Sequence, residues 1–460
     1  MSKKEVRVDE NLVRIPDGHV LKRWPAGLLI VSAVLLAIAV ASQSIDATSI
    51  ELAGHGGHGS DHGEHHDDGH GKDHGDGHGG DHGAGHDDGH GDGHHGGHKS
   101  SLAPVVFSFL TACCYFLSLS VGGIFFVLVQ HCAKAGWSVV VRRIAENVGT
   151  LVFWFIIPFT LLWLFGAHDL FHWTHADAMA TDVVLQWKAP YLNSTFFIVR
   201  GILAWLVLWW IARINHRDSV EQDLHGSHET SRQLQYWSGF RILLFAFAVT
   251  FFAFDWIMSL DAHWFSTMFG VYYFAGSVLG FFAFMTLVVL LLQGAGLLGE
   301  LITIEHYHDL GKYCFAFTVF WGYIAFSQFM LIWYGNLPEE TLWFEHRMNG
   351  PWAAVARVLL VCHFLIPFFA LMAKTVKKIG FTLGLGAIWL LVVHYVDLYW
   401  LIMPNLYVDH WPMKQGIVDL LCFLAAGAAF TALFLRVLTR HALIPLRDPR
   451  LQESLAFENF

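Results

Sequence analysis

The chain has 460 residues, of which 55% are hydrophobic and 14% charged, and a formal net charge of −10. That balance excludes an ordinary soluble domain and points to a polytopic membrane protein. The acidity is local: residues 51–99 hold 11 acids and 2 lysines, a net of −9, so the rest is nearly neutral and no nucleic-acid partner is expected.

Apolar runs near the ~20 residues that a spanning helix needs occur about ten times. They lie near 27–44, 102–130, 149–166, 194–212, 240–258, 267–292, 313–334, 353–373, 379–402 and 416–438. The runs are continuously apolar and do not alternate, which predicts helices and not a barrel. The expected fold is therefore all-α, a polytopic integral membrane protein with about ten transmembrane helices. Its expected parts are a cytoplasmic N-terminal segment (1–26), a first transmembrane helix (27–44), a periplasmic loop (45–101), a nine-helix membrane domain (102–438) and a cytoplasmic C-terminal tail (439–460).

The first run ends on Ala39-Val40-Ala41, which resembles a signal-peptide cleavage site. Its long polar lead and its length favour a retained helix. The loop after it is of low complexity. From His58 to His98 a histidine falls at every fourth position, with His55, His65 and His95 in addition, and Gly and Asp fill most of the spaces. The period would suit one helix face, but glycine at this density opposes a helix, so disorder is expected. Imidazoles mixed with carboxylates bind Zn, Cu or Ni weakly and buffer protons near neutrality. A segment that cannot fix its ligands makes no structural metal site, and a linker without a specific role is the simpler reading.

Orientation follows from the cations. Twenty of the 28 Lys and Arg residues fall on the side that holds both termini, and five fall on the other. Arg200, Arg241 and Arg357 lie within runs. This asymmetry predicts cytoplasmic termini and a periplasmic histidine tract.

In the fourth run, Arg200 lies two turns in from the periplasmic side. The fifth and sixth runs are joined by Phe254-Asp255-Trp256-Ile257-Met258-Ser259-Leu260-Asp261-Ala262-His263-Trp264-Phe265, which puts two carboxylates, an imidazole and two indoles at a bilayer edge. Carboxylates at such a depth are costly unless paired or wetted. A short loop with Trp anchors explains the same residues without a function. On the seventh run, Gln328 and Tyr323 either extend a polar track or tie helices together. The loop 333–340 that follows reads as an aromatic belt. The eighth run carries Arg357 in its first turns and His363 near its middle, with Pro367 freeing a backbone carbonyl one turn away. On the ninth, His394 and Asp397 are three apart and share a face. The candidate site residues Arg200, Asp255, Asp261, His263, Arg357, His363, His394 and Asp397 mostly fall in the periplasmic half. Intramembrane charges usually face a bundle interior and mark proton or substrate paths, although a helix-tying pair is the competing explanation.

Cys113, Cys114, Cys314, Cys362 and Cys422 sit in apolar runs and Cys132 at a run's end, so no disulfides are expected. No Cys-x-x-Cys-His and no iron–sulfur spacing occurs, and no metal site is expected. A faint internal match, Phe155-Ile156-Ile157-Pro158-Phe159 against Phe364-Leu365-Ile366-Pro367-Phe368, would suit an inverted repeat.

Four phrases, with the ten-run layout and the histidine loop, carry a family resemblance. They are Phe254-Asp255-Trp256-Ile257-Met258-Ser259-Leu260-Asp261, Ala325-Phe326-Ser327-Gln328-Phe329-Met330-Leu331-Ile332-Trp333-Tyr334, His363-Phe364-Leu365-Ile366-Pro367-Phe368 and Val396-Asp397-Leu398-Tyr399-Trp400. Over about 100–438 the chain resembles the second NrfD-type membrane subunit of alternative complex III, a bacterial quinol:cytochrome c oxidoreductase. The resemblance implies NrfD-like helical bundles in the inner membrane that bind no haem or cluster themselves. It implies a sister NrfD-type subunit, a periplasmic iron–sulfur subunit and cytochrome c subunits as partners, and menaquinol or another quinol as substrate class. In that family the second subunit is regarded as quinone-binding by homology or as a proton-conducting element. The candidate residues suit a proton pathway or a quinone site. Quinol oxidation needs an acid/base group, which Asp or His supplies, and an electron acceptor, which this chain would have to borrow. The alternatives are a scaffold subunit, a haem b cytochrome using His363 and His394, and a secondary transporter.

Overall fold

The computed structural model describes residues 8–54, 99–407 and 414–458, so the histidine tract at 55–98 lies outside the described residues. Ten helices are long and apolar enough to cross a membrane. We label them α1 (Trp24–Gln43), α2 (Ala103–Cys132), α3 (Val139–Leu170), α4 (Ser194–His225), α5 (His228–Leu260), α6 (Phe269–Gly294), α7 (Ile304–Gly335), α8 (Trp352–Met372), α9 (Gly380–Asn405) and α10 (Gln415–Leu438). The described residues contain no strand. The protein is an all-α polytopic membrane protein.

Several helices run past the apolar runs that announce them. α3 begins at Val139 and not near 149 because its charged first turns are paired: Arg142 with Asp448 and Glu146, Arg143 with Glu146 and Asp223. Charges that would halt an apolar run here belong to a buried network. Asn193 caps the start of α4, its side chain accepting from the Phe196 amide, and Gly226 ends that helix at φ 63°. α1 continues as helix to Gly54, into the stretch expected as loop.

Packing arranges eight helices as two rings. α2, α3, α4 and α5 pack in a closed circuit, and so do α6, α7, α8 and α9. The bundles join where α2 lies against α6, and these two helices are the most enclosed, with 89% and 78% of their apolar windows buried. α10 packs on α2, and α1 lies outside on α10 with 6% of its window buried. An apolar face left so exposed is covered by lipid or by a membrane partner. Both bundles begin with a helix entering from the same end, so they repeat in parallel. In that arrangement α3 corresponds to α7, and the α3/α8 phrase match has no counterpart.

The expected tails are packed. The Leu298 amide donates to the Leu12 carbonyl and the Leu443 amide to that of Val13. Val13, Leu443 and Ile444 are fully buried. The terminal segments therefore close one end of the bundles, called here the terminal end; the other is the distal end.

Candidate functional site

The second bundle encloses three of the sequence candidates, His363, His394 and Asp397, none of them more than 1% exposed. Asp397 on α9 accepts from Tyr272 Oη of α6 at 2.5 Å and from Trp321 Nε1 of α7 at 3.1 Å. Among the described residues it has no cation. Both donors are neutral, so its charge is met by dipoles alone. Burying a polar group is tolerable when it is hydrogen-bonded, whereas a buried charge without a counter-ion is expensive.

His394, one turn earlier, does not bond to Asp397. Its Nε2 lies 2.8 Å from Ser118 Oγ of α2, and that oxygen is 2.6 Å from the Tyr115 carbonyl. One hydroxyl proton cannot serve both acceptors. If Ser118 donates to the carbonyl, Nε2 carries the ring proton and Nδ1 is a bare acceptor. Nδ1 has no partner. Glycines let the ring lie flat on α6: a Cβ at Gly280 would stand 2.7 Å from His394 Cδ2. One at Gly276 would stand 3.1 Å from Cε1, 3.3 Å from Nδ1 and 3.5 Å from Asp397 Oδ2. The unpaired nitrogen and the carboxylate thus flank the same point of α6.

His363 sits in the third wall. Its ring rests on Trp321 at 4.0 Å and lies 6.4 Å from that of His394. Neither of its nitrogens has a partner. One of them must carry a proton, so a buried N–H is unsatisfied, at a cost of about 1–3 kcal/mol. The backbone here is a π-helix over Leu359–Leu365, just ahead of Pro367, and the Cys362 carbonyl accepts from Trp389 Nε1 at 2.7 Å. Single π turns inside α-helices recur at functional sites.

The first bundle holds a different assembly. Arg200 of α4 grips Asp255 of α5 with two bonds, Nε to Oδ2 at 3.0 Å and Nη2 to Oδ1 at 2.8 Å. Tyr191 Oη adds a third at 3.1 Å, and its ring lies 3.7 Å beneath the guanidinium. A carboxylate so fully countered is a helix tie. A crevice of about 10 Å³, roughly room for one water, lies between α4 and α5 beside Asp255. By depth Asp255 belongs with Asp397; the fold puts it in the neighbouring bundle.

The remaining candidates lie apart from both assemblies. Asp261 accepts from the His263 amide at 3.2 Å, and exposed His263 meets Asp182 at 2.5 Å, joining two distal loops. Burial opposes it, but the His263 bond and the Leu185 and Val184 amides hold the Asp182 carboxyl below its ordinary range. Arg357 is exposed on α8. Gln328 is buried with its Oε1 unpaired, and Tyr323 points outward.

Sequence reasoning missed Tyr272, Trp321 and Ser118, which make the bonds, and Asp419 on α10, a buried carboxylate. Tyr272 and Ser118 lie in apolar runs where they read as ordinary core. The Gly276/Gly280 spacing is the one signal that α6 must come close to something. Among the described residues no group of three His, Cys, Asp or Glu side chains is placed to hold a metal ion. No protein-family model matches the chain, and no curated protein matches it.

Proposed function

We propose that this chain is a membrane subunit of a respiratory quinol:cytochrome c oxidoreductase of the alternative complex III kind, the second NrfD-type subunit, and that its second bundle holds a proton-exchange centre. The observation that carries the second part is Asp397, buried with two neutral donors and no cation, beside two histidines with three unpaired ring nitrogens between them. Saturated helix ties do not leave such groups open, as Arg200–Asp255 illustrates in the same chain. Buried unpaired nitrogens at a carboxylate are what proton transfer through a bridging water uses. The phrases around Asp255, Gln328, His363 and Asp397 support the family half of the proposal. On this reading quinol or its protons reach the centre, while the electron carriers belong to partner subunits. The basic-residue asymmetry supports cytoplasmic termini and a site in the periplasmic half of a bacterial inner membrane.

A haem b site between His363 and His394 fits poorly. His394 Nε2 is taken by Ser118, and the Trp321 indole already covers His363 at 4.0 Å. The family half is tested by purifying the tagged chain from native membranes. Co-purification of a sister membrane subunit with cytochrome c and iron–sulfur subunits is expected. A chain that isolates alone and carries a solute across proteoliposomes would replace this reading by a transporter.

A further inference from the structure

Another buried carboxylate lies between the distal surface and the centre just described. Asp419 of α10 accepts from Ser108 Oγ at 2.5 Å, Gln415 Nε2 at 2.8 Å and Tyr399 Oη at 2.7 Å. Gln415 also donates to Ser108 at 2.7 Å and accepts from Tyr407 Oη at 3.1 Å. Tyr407 is half-buried and lies at the distal end, where its carbonyl accepts from Trp352. These bonds make an unbroken line from that surface to Tyr399. Among the described residues Asp419 makes no ion pair, so the line contains one ionisable carboxyl and only neutral donors.

One turn back along α9 from Tyr399, toward the membrane middle, stands Tyr395. Its hydroxyl is buried and has no partner. Its ring lies 6.1 Å from that of Tyr399 and 5.6 Å from that of Tyr115, and the Tyr115 ring lies 5.4 Å from His394. Helix glue does not account for this. A hydroxyl ties helices only when it is bonded, and an orphaned one is a cost that phenylalanine of the same shape avoids. The Tyr115 ring thus touches both rings that carry an unpaired polar atom, the Tyr395 hydroxyl and His394 Nδ1.

We infer that Asp419, Tyr399 and Tyr395 form the route by which protons pass between the distal side and His394–Asp397, with Tyr407 and Gln415 holding Asp419, 7% exposed, at its entrance. The inference rests on the proton-exchange reading of that centre. Each hop passes one proton: a hydroxyl or carboxyl gives its own to the acceptor ahead and takes one from behind. Every group ends as it began, and no oxidant or reductant is needed. Tyr395 offers the uncommitted hydroxyl between the bonded line and His394, since that of Tyr115 is given to the Leu391 carbonyl at 3.2 Å, so the route depends on Tyr395.

The test uses the assembled complex in proteoliposomes, with proton release and electron transfer followed together. Tyr395→Phe is expected to melt at the same temperature or higher, because it removes an unsatisfied hydroxyl, yet to slow proton release about tenfold, as loss of one relay step would. Asp419→Asn should slow it similarly. Should that variant fail to assemble, Tyr395→Phe decides alone, since it leaves the Asp419 bonds intact. Unchanged proton release in Tyr395→Phe, with Asp397→Asn slowed, overturns this route and leaves the centre standing. Unchanged release in both variants overturns the centre and the route together.

Discussion

Two buried aspartates end in opposite situations. Asp255 is countered by Arg200 and Tyr191, while Asp397 has only Tyr272 and Trp321. Removing one partner of a buried pair strands the other charge, at about 3–5 kcal/mol. Arg200→Leu should therefore lower the melting temperature of the purified chain sharply, and Arg200→Leu with Asp255→Leu should recover much of the loss. A single variant as stable as the parent would show that water, not Arg200, satisfies Asp255. Trp321→Phe keeps the ring under His363 but removes one donor to Asp397. It should cost about 1–3 kcal/mol, the range for leaving a buried acceptor short of a bond. A melt unchanged within error would mean that the indole bond contributes nothing.

Local geometry explains what could be read in the residues and what could not. The His394/Asp397 spacing correctly gives one buried helix stretch, and Pro367 marks an irregular backbone near His363. The partners were illegible, because an i, i+3 pair invites a mutual bond whereas each residue bonds to a different neighbouring helix. Depth alone cannot tell which bundle a residue faces, and so Asp255 reads as a member of the wrong cluster.

At the scale of elements, α6 is the bearing surface of the site. Gly280 leaves no room for a methyl group: the nearest atom would be His394 Cδ2 at 2.7 Å. Gly280→Ala must push the imidazole off α6 and away from Ser118, with overpacking of about 1–3 kcal/mol. The expected readout is a lower melting temperature together with slowed turnover. Gly201→Ala, where a Cβ meets nothing within 4 Å, serves as the control and should change neither.

The distal loops make a separate pH prediction. Burial, with His175 and His263 nearby, holds His172 below its ordinary range. A histidine lowered in the fold binds fewer protons there than when unfolded, so its contribution falls as pH drops below ~6.5. Asp182 is also lowered, by the His263 bond and backbone amides against burial, and its contribution is lost below ~3.9. Both shifts have the same sign. Hydrogen exchange in segments 171–193 and 257–268 should quicken as pH falls from neutrality, after correction for the intrinsic rate. Flat protection down to the carboxylate range would contradict the first step.

Helix positions were legible because apolar length is a direct requirement of the bilayer, and each of the ten runs became one spanning helix. Helix ends were not. A hydropathy window stops at Arg142 and Arg143, whereas the chain continues as helix because those charges find Glu146, Asp223 and Asp448. The same network and the buried Val13, Leu443 and Ile444 turn expected tails into a closed end.

Across the whole molecule, the two bundles repeat in parallel, and each carries its buried aspartate on its fourth helix. In the first, the third helix supplies Arg200 to that aspartate. In the second, the corresponding helix supplies His363 near its carboxylate and turns Arg357 outward. One bundle is thus tied shut by charge, and the other keeps an unpaired acid among imidazoles. Deleting 55–98, which lies outside the described residues, should leave assembly and electron transfer intact, since shortening a loop changes closure entropy slowly. Loss of the complex after that deletion would show that the tract docks a partner.

The central claim is that Asp397 carries a proton and is not a helix tie. Its most direct test is proton release per electron by the assembled complex carrying Asp397→Asn, measured beside its thermal melt. The expected result is an unchanged melt, because the asparagine oxygen can accept from Trp321 while its amide donates to the Tyr272 oxygen, with proton release slowed on the order of 10²-fold, as removal of an acid/base group does. A variant that melts as the parent does and releases protons at the parental rate would contradict it.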